Sequence, residues 1–299
     1  MLEWAYDGVN SSIPRNRGPE CVEYLSLKYR FIETICVSML TIYLIVKGLK
    51  SITLPKNVKY VNQDRTGKKV LLIIMSMVLG CEIGFKITSR TLVYILNPCH
   101  ITTAIQLYLL AAKPSSMVTA LFRIQLNLMN GPVLAYLFPE TESRKLFADK
   151  AMYYLQHGLM LVIPYYLTRI GGVYSVEPLS DFSWSVLAYG CNLAYHWWIL
   201  QLAALPVQVN LSHILCPAML DPFEGRFYRL CAVVHEGLLC PLLAKLLYLI
   251  FNYFLTVFPV TKVKSCINHT IEHKFPQGEC SDEDSNSKEQ LKNGDLHVE

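Results

Sequence analysis

The fold class expected from this sequence is all-α: a polytopic membrane bundle of about seven transmembrane helices with a polar cavity in one leaflet. Three observations predict it. The 299 residues are 53% hydrophobic and only 17% charged, with a mean hydropathy of +0.31, too apolar for an ordinary soluble domain. Seven apolar-rich stretches, each about 17 to 29 residues long and adequate for a bilayer core, are set apart by polar connections. The polar side chains inside those stretches fall at one common depth. The chain then divides into a polar lead (1–28), a transmembrane bundle (29–259) and a polar, acidic tail (260–299) that reads as disordered.

The elements follow in order. The lead carries Pro and Gly, a glycosylation sequon at Asn10-Ser11-Ser12, and no apolar core of a signal peptide. The first span is 30–46. A basic loop at 47–69 follows, with Lys47, Lys50, Lys56, Lys59, Arg65, Lys68 and Lys69. The second span, 70–89, holds Glu82 and Lys86, an i,i+4 pair in the favourable order. The third is 91–112, and a Lys113-Pro114 turn leads to the fourth, 117–138, with Arg123, Gln125, Asn127 and Asn130. The fifth, 150–168, contains Gln156 and His157. The sixth, 182–205, contains Asn192 and His196. The connection 206–229 leads to the last span, 230–258, with His235, Glu236 and Lys245. The basic loop argues for a cytosolic 47–69 and tail, and a lumenal lead.

Composition excludes several classes. A net charge of +4 with no basic, aromatic-interleaved motif gives no sign of nucleic-acid binding. The ten cysteines form no CxxC pair and no His/Cys set with zinc spacing. Cys21 and Cys216 both fall in lumenal segments, where disulfides persist, so the pair is either bridged or two free thiols.

The third stretch organises the rest. Pro98 removes a backbone donor and disfavours helix at Asn97, so a kink or opening is expected at Asn97-Pro98-Cys99-His100. Cys99 is the nucleophile candidate. On a helix it shares a face with Thr103 and Gln106, whereas His100 points roughly 100° away and is the wrong base for it. Pro kinks and packing cysteines are also ordinary in membrane helices.

At a rise of 1.5 Å per residue, Cys99 lies about 12 Å into its span. Glu82, Asn130, His157, His196 and His235 fall in the same slab of one leaflet when the spans alternate in direction. Each has a structural explanation: an ion pair for Glu82, and interhelical bonding for Asn130 and the histidines. Together they suggest a cavity suited to acyl transfer, with Cys99 as nucleophile and His157 as base. His196, His235, Asn97 and Asn130 support them as orienters or oxyanion donors. No cofactor is needed for that chemistry, and the depth matches glycerolipid ester carbonyls better than any soluble substrate. Two other readings use the same slab: a transporter or channel pathway, and a metal-dependent lipid hydrolase with His157, His196 and His235 as ligands.

The motifs LNPCH (96–100), LNLMNGPVLAYLFP (126–139), YYLQH (153–157), AYHWWILQ (194–201) and QVNLSHILCPAMLDPFEGRFYR (208–229) resemble the transmembrane protein 164 family. The resemblance covers about residues 4–258. It implies a multi-pass acyltransferase of the endoplasmic reticulum, similar to enzymes that move an arachidonoyl-type chain onto ether lysophosphatidylethanolamine. It also implies a link to ferroptosis and autophagy, and makes Cys99 the acyl-accepting residue. The family is distantly similar to the androgen-induced lipid-ester hydrolases.

Overall fold

The computed structural model describes residues 3–55, 57–60, 66–219, 221–258 and 266–270. A single turn, α1 (Pro19–Val22), precedes the long helix α2 (Leu27–Ser51), whose first turn is capped by the Ser26 hydroxyl accepting from the Tyr29 amide at 3.3 Å. Next come α3 (Thr66–Thr88), α4 (Pro98–Ala111), α5 (Ser116–Leu126), α6 (Asn130–Leu137) and α7 (Phe147–Ile170). Then α8 (Ser183–Ala194) runs through a π-helical segment, Tyr195–Leu200, into α9 (Gln201–Val207), and α10 (Tyr228–Val257) ends the bundle.

Three helices, Leu27–Ser51, Thr66–Thr88 and Tyr228–Val257, are long and apolar enough to cross a membrane. Their outer faces support that reading. On α10 the exposed residues Val234, Leu238, Leu242, Leu246, Leu249 and Tyr253 recur at helical spacing, a stripe that water would not tolerate and lipid would. The third and fourth apolar stretches differ from simple spans. The third opens with a 3-10 segment, Leu92–Leu96, and Asn97 is extended (φ −60°, ψ 142°) before Pro98 starts α4, as the missing proline donor requires. The fourth is broken between Leu126 and Asn130 into two short helices. The Asn127 side chain donates back to the Arg123 carbonyl at 2.9 Å there, offering the backbone an alternative to continuing the helix.

Helices α2 and α8 pack closely because small residues lie between them. A Cβ on Gly48 would sit 2.8 Å from Leu187 Cα, and one on Gly190 would sit 3.1 Å from the Ile45 amide. The main core joins α3, α4, α5 and α7 around Met75, Leu109, Phe122, Met160 and Ile163, all essentially unexposed. In an apolar solvent such packing, rather than hydrophobic exclusion, holds the helices together.

The connections gather at two ends. At one, the lead docks on the 206–229 connection through an Arg17–Val209 bridge and a Cys21–Cys216 disulfide with Cα atoms 5.0 Å apart. The Gly8 amide donates to the Arg90 carbonyl, and His213 pairs with Glu140. At the other end, Arg123 donates to the carbonyls of Thr53 and Ser175, and Lys245 pairs with Glu177 at 2.9 Å. Of the two outcomes open for Cys21 and Cys216, the bridge holds. The lead is therefore a folded cap, with Val9, Cys21 and Leu25 buried, and not merely a polar extension.

One departure from an all-α chain lies at the Arg123 end. Strand β1 (Asn57–Tyr60) pairs antiparallel with β2 (Cys266–Thr270). Strand β2 belongs to the 260–299 segment for which the sequence gives disorder; its backbone finds ladder partners in the basic loop, and the rest of that segment lies outside the described residues.

Candidate functional site

Proline builds the site locally. With Pro98 at the first helical position, Cys99 becomes the second residue of α4. Amides in a first turn have no carbonyl four residues back to bond, so the Cys99 amide and the positive end of α4 face the thiol's surroundings. Cys99 is a free thiol, half-buried, and packs against the main core. Asn97, expected as an oxyanion donor, is the N-cap, yet its side chain makes no capping bond and its Oδ1 is buried without a partner.

A buried ionic group forms on α3, which packs against α4. Glu82 is fully buried and pairs with Lys86 one turn on. Arg144, from the connection between α6 and α7, reaches Glu82 in a two-pronged contact at 2.8 and 3.2 Å. It also pairs with Asp149 and stacks over the Tyr153 ring at 5.0 Å. The helix α3 that carries Glu82 and Lys86 packs against both α4 and α7, the helices of Cys99 and His157. Arg144 escapes sequence reasoning because nothing in a polar loop says that it folds back onto a helix 62 residues earlier.

His157 is buried on α7, and its Nδ1 donates to the Tyr153 carbonyl at 2.7 Å. That bond puts the hydrogen on Nδ1 and leaves the Nε2 lone pair as the basic position. The Tyr153 and His157 rings lie 4.3 Å apart, and the Tyr195 hydroxyl donates to the Leu96 carbonyl at 2.6 Å, just before the Asn97-Pro98 opening. One helical position earlier, Gln156 donates to His100 Nδ1 at 3.1 Å and to Thr103 Oγ1 at 2.9 Å. His100, set aside as a base from its direction on the helix, is thus a held neighbour of the site, with its Nδ1 occupied.

The single slab of polar residues does not stay together. His196 on the π-helical segment donates from Nδ1 to the Asn192 carbonyl at 2.9 Å, with Nε2 3.3 Å from Ser212 Oγ. Asn130 is engaged at both ends by α10: its Nδ2 donates to Glu236 at 2.5 Å and its Oδ1 accepts from Cys240 at 3.3 Å. It bonds α6 to α10 instead of serving Cys99. His235 is exposed, beside Glu236 at 3.6 Å and against the Phe223 ring, so it does not join the buried group either. Equal depth does not imply a common facing, because each helix rotates its polar residue about its own axis. Among the described residues no group of three or more His, Cys, Asp or Glu side chains is disposed to hold a metal ion, which leaves the three-histidine reading without a site.

No solved structure matches the chain. The TMEM164 family model matches residues 24–247, a span that includes Cys99, Arg144, His157, His196 and Asn130. The chain, a membrane protein by its apolar helices, belongs to the TMEM164 family.

Proposed function

We propose that this protein is a seven-span acyltransferase of the endoplasmic reticulum membrane that moves a polyunsaturated acyl chain onto ether lysophospholipids through a Cys99 thioester. One observation carries the reading. Cys99 is a free thiol in the first turn of a helix that Pro98 opens, and His157, on the helix α7 that packs against α4, keeps its Nε2 lone pair available. The alternation of connections between two ends supports seven crossings, although among the described residues only three helices are individually long and apolar enough to be recognised as spans.

In the first half-reaction the Cys99 sulfur attacks the acyl carbonyl of a donor phospholipid, and His157 takes the thiol proton. The Cys99 amide and the positive end of α4 steady the oxyanion. The intermediate collapses to a thioester, and the departing lysophospholipid hydroxyl receives the proton from His157. In the second half-reaction an acceptor hydroxyl gives its proton to His157 and attacks the thioester, releasing the acylated product and the thiol. An ester is exchanged for an ester, so no energy-rich cofactor is consumed. The test is acyl transfer by purified protein with lipid mass spectrometry, together with a Cys99-linked acyl group that hydroxylamine releases. A wild-type rate in Cys99→Ala would end this reading.

The discontinuities at Asn97, at 127–129 and at Tyr195–Leu200 favour one alternative, a transport pathway, because broken helices are where transporters bind polar cargo. Lipid or solute flux across vesicles that persists in Cys99→Ala would identify it.

A further inference from the structure

Three N-x-Ser/Thr sequons occur in the chain: Asn10-Ser11-Ser12, Asn210-Leu211-Ser212 and Asn268-His269-Thr270. We infer that Asn10 alone carries an N-linked glycan, and that the structure separates it from the other two. The inference rests on the orientation given above and not on the acyl-transfer chemistry.

Asn10 sits in a turn at the end of the bundle that holds the disulfide. Its Oδ1 accepts from the Ser12 amide at 2.9 Å and from the Ser12 hydroxyl at 2.8 Å. Its backbone carbonyl accepts from Asn16 Nδ2 at 2.8 Å. Its own Nδ2 makes no hydrogen bond among the described residues and is not one of the buried unpartnered atoms. Ser11 and Ser12 are exposed. The nitrogen that would bear the sugar is therefore the one polar atom of the side chain that the fold does not use.

The compartment agrees. Cys21–Cys216 ties this same end together, and disulfides persist on the lumenal or extracellular side. The reach agrees as well. Before the lead folds into its cap, the 17 residues from Asn10 to the start of α2 span roughly 56–61 Å of extended chain, ample to meet a membrane-embedded glycosyltransferase.

Asn210 lies at the same end and fails on both counts. It is 6% exposed, and its Nδ2 donates to the carbonyls of Arg15 and Cys216 at 2.9 Å each, so substitution there would break the loop that holds the disulfide. It also follows the last residue of α9 by only three positions, roughly 10 Å of extended chain. Asn268 belongs to β2, paired with β1 at the opposite end, where the basic loop argues for cytosol.

The transfer itself balances. Asn10 Nδ2 displaces pyrophosphate from the anomeric carbon of a lipid-pyrophosphate-linked oligosaccharide. It loses one proton, and the lipid pyrophosphate leaves.

The test uses the full chain expressed in eukaryotic cells and an endoglycosidase that cleaves Asn-linked sugars. Wild-type protein should gain mobility by one glycan on digestion. Asn10→Gln and Ser12→Ala should lose that shift completely, whereas Ser11→Ala, Ser12→Thr and Asn268→Gln should keep it. A shift that persists in Asn10→Gln would place the sugar elsewhere and overturn the inference. Loss of the shift in Asn268→Gln would overturn the orientation with it. If wild-type protein shows no shift while trypsin reaches Lys56 and Lys59 from the cytosolic side, the orientation stands and the inference alone falls.

Discussion

Glu82→Gln is the substitution whose consequence the structure fixes best. Glu82 is 0% exposed and Lys86 6% exposed; the carboxylate also holds Arg144 at 2.8 and 3.2 Å. Arg144 keeps a second carboxylate in Asp149, whereas Lys86 faces Glu82 from the next turn of the same helix. The glutamine therefore leaves a buried ammonium next to a guanidinium with no anion between them. Removing one partner of a buried pair costs about 3–5 kcal/mol, most of it the desolvated charge left behind. At about 2–4 °C of Tm per kcal/mol, the detergent-solubilised protein should melt at least about 6 °C lower, followed by tryptophan fluorescence. The double variant Glu82→Gln, Lys86→Met removes the orphan and leaves Arg144 on Asp149. It should recover more than half of the loss, a coupling of about 2 kcal/mol. A single variant that melts with wild type, or a double variant less stable than the single, would refute this account of the cluster.

Other consequences concern the thiol, the histidines and the bridge. Cys99→Ser should lower acyl transfer by about two orders of magnitude or more with unchanged abundance, because the hydroxyl leaves its activation to His157. His157→Ala should approach the Cys99→Ala rate, and the double variant should be little worse than either single one. Cys216→Ser should destabilise the N-terminal cap by about 2–5 kcal/mol, read as faster proteolysis of the lead under non-reducing conditions. The Glu140 carboxylate holds His213 above the ordinary imidazole range, and His213 holds Glu140 below the ordinary carboxylate range. A raised histidine contributes below its unfolded value and is lost as pH rises through its folded one. A depressed carboxylate contributes above its unfolded value and is lost as pH falls through its folded one. The clamp between the two connections should thus be firmest from about pH 4.3 to 6.5 and loosen on either side. Hydrogen exchange at 211–216 that shows no pH dependence beyond Glu140→Gln would contradict it.

The sequence by itself determined the class of fold, the number and order of apolar stretches, and the residue around which the candidate site is built. Apolar runs bounded by polar turns are local properties, and so is the opening at Asn97: proline lacks a donor wherever it stands. The i,i+4 pair of Glu82 and Lys86 was legible for the same reason. The partners that turn a cysteine into a site were not. Arg144 reaches Glu82 from a loop, Gln156 joins His100 to Thr103, and the Tyr153 ring stacks on His157 at 4.3 Å. These contacts depend on how helices rotate and tilt against one another, which residue spacing along one chain does not encode. The same cause separated Asn130 and His235 from the group their depth suggested: depth follows from counting along a helix, but facing follows from what the helix packs against. It also separates two of the sequons: Asn210 Nδ2 is taken up by the carbonyls of Arg15 and Cys216, whereas Asn10 Nδ2 makes no hydrogen bond among the described residues.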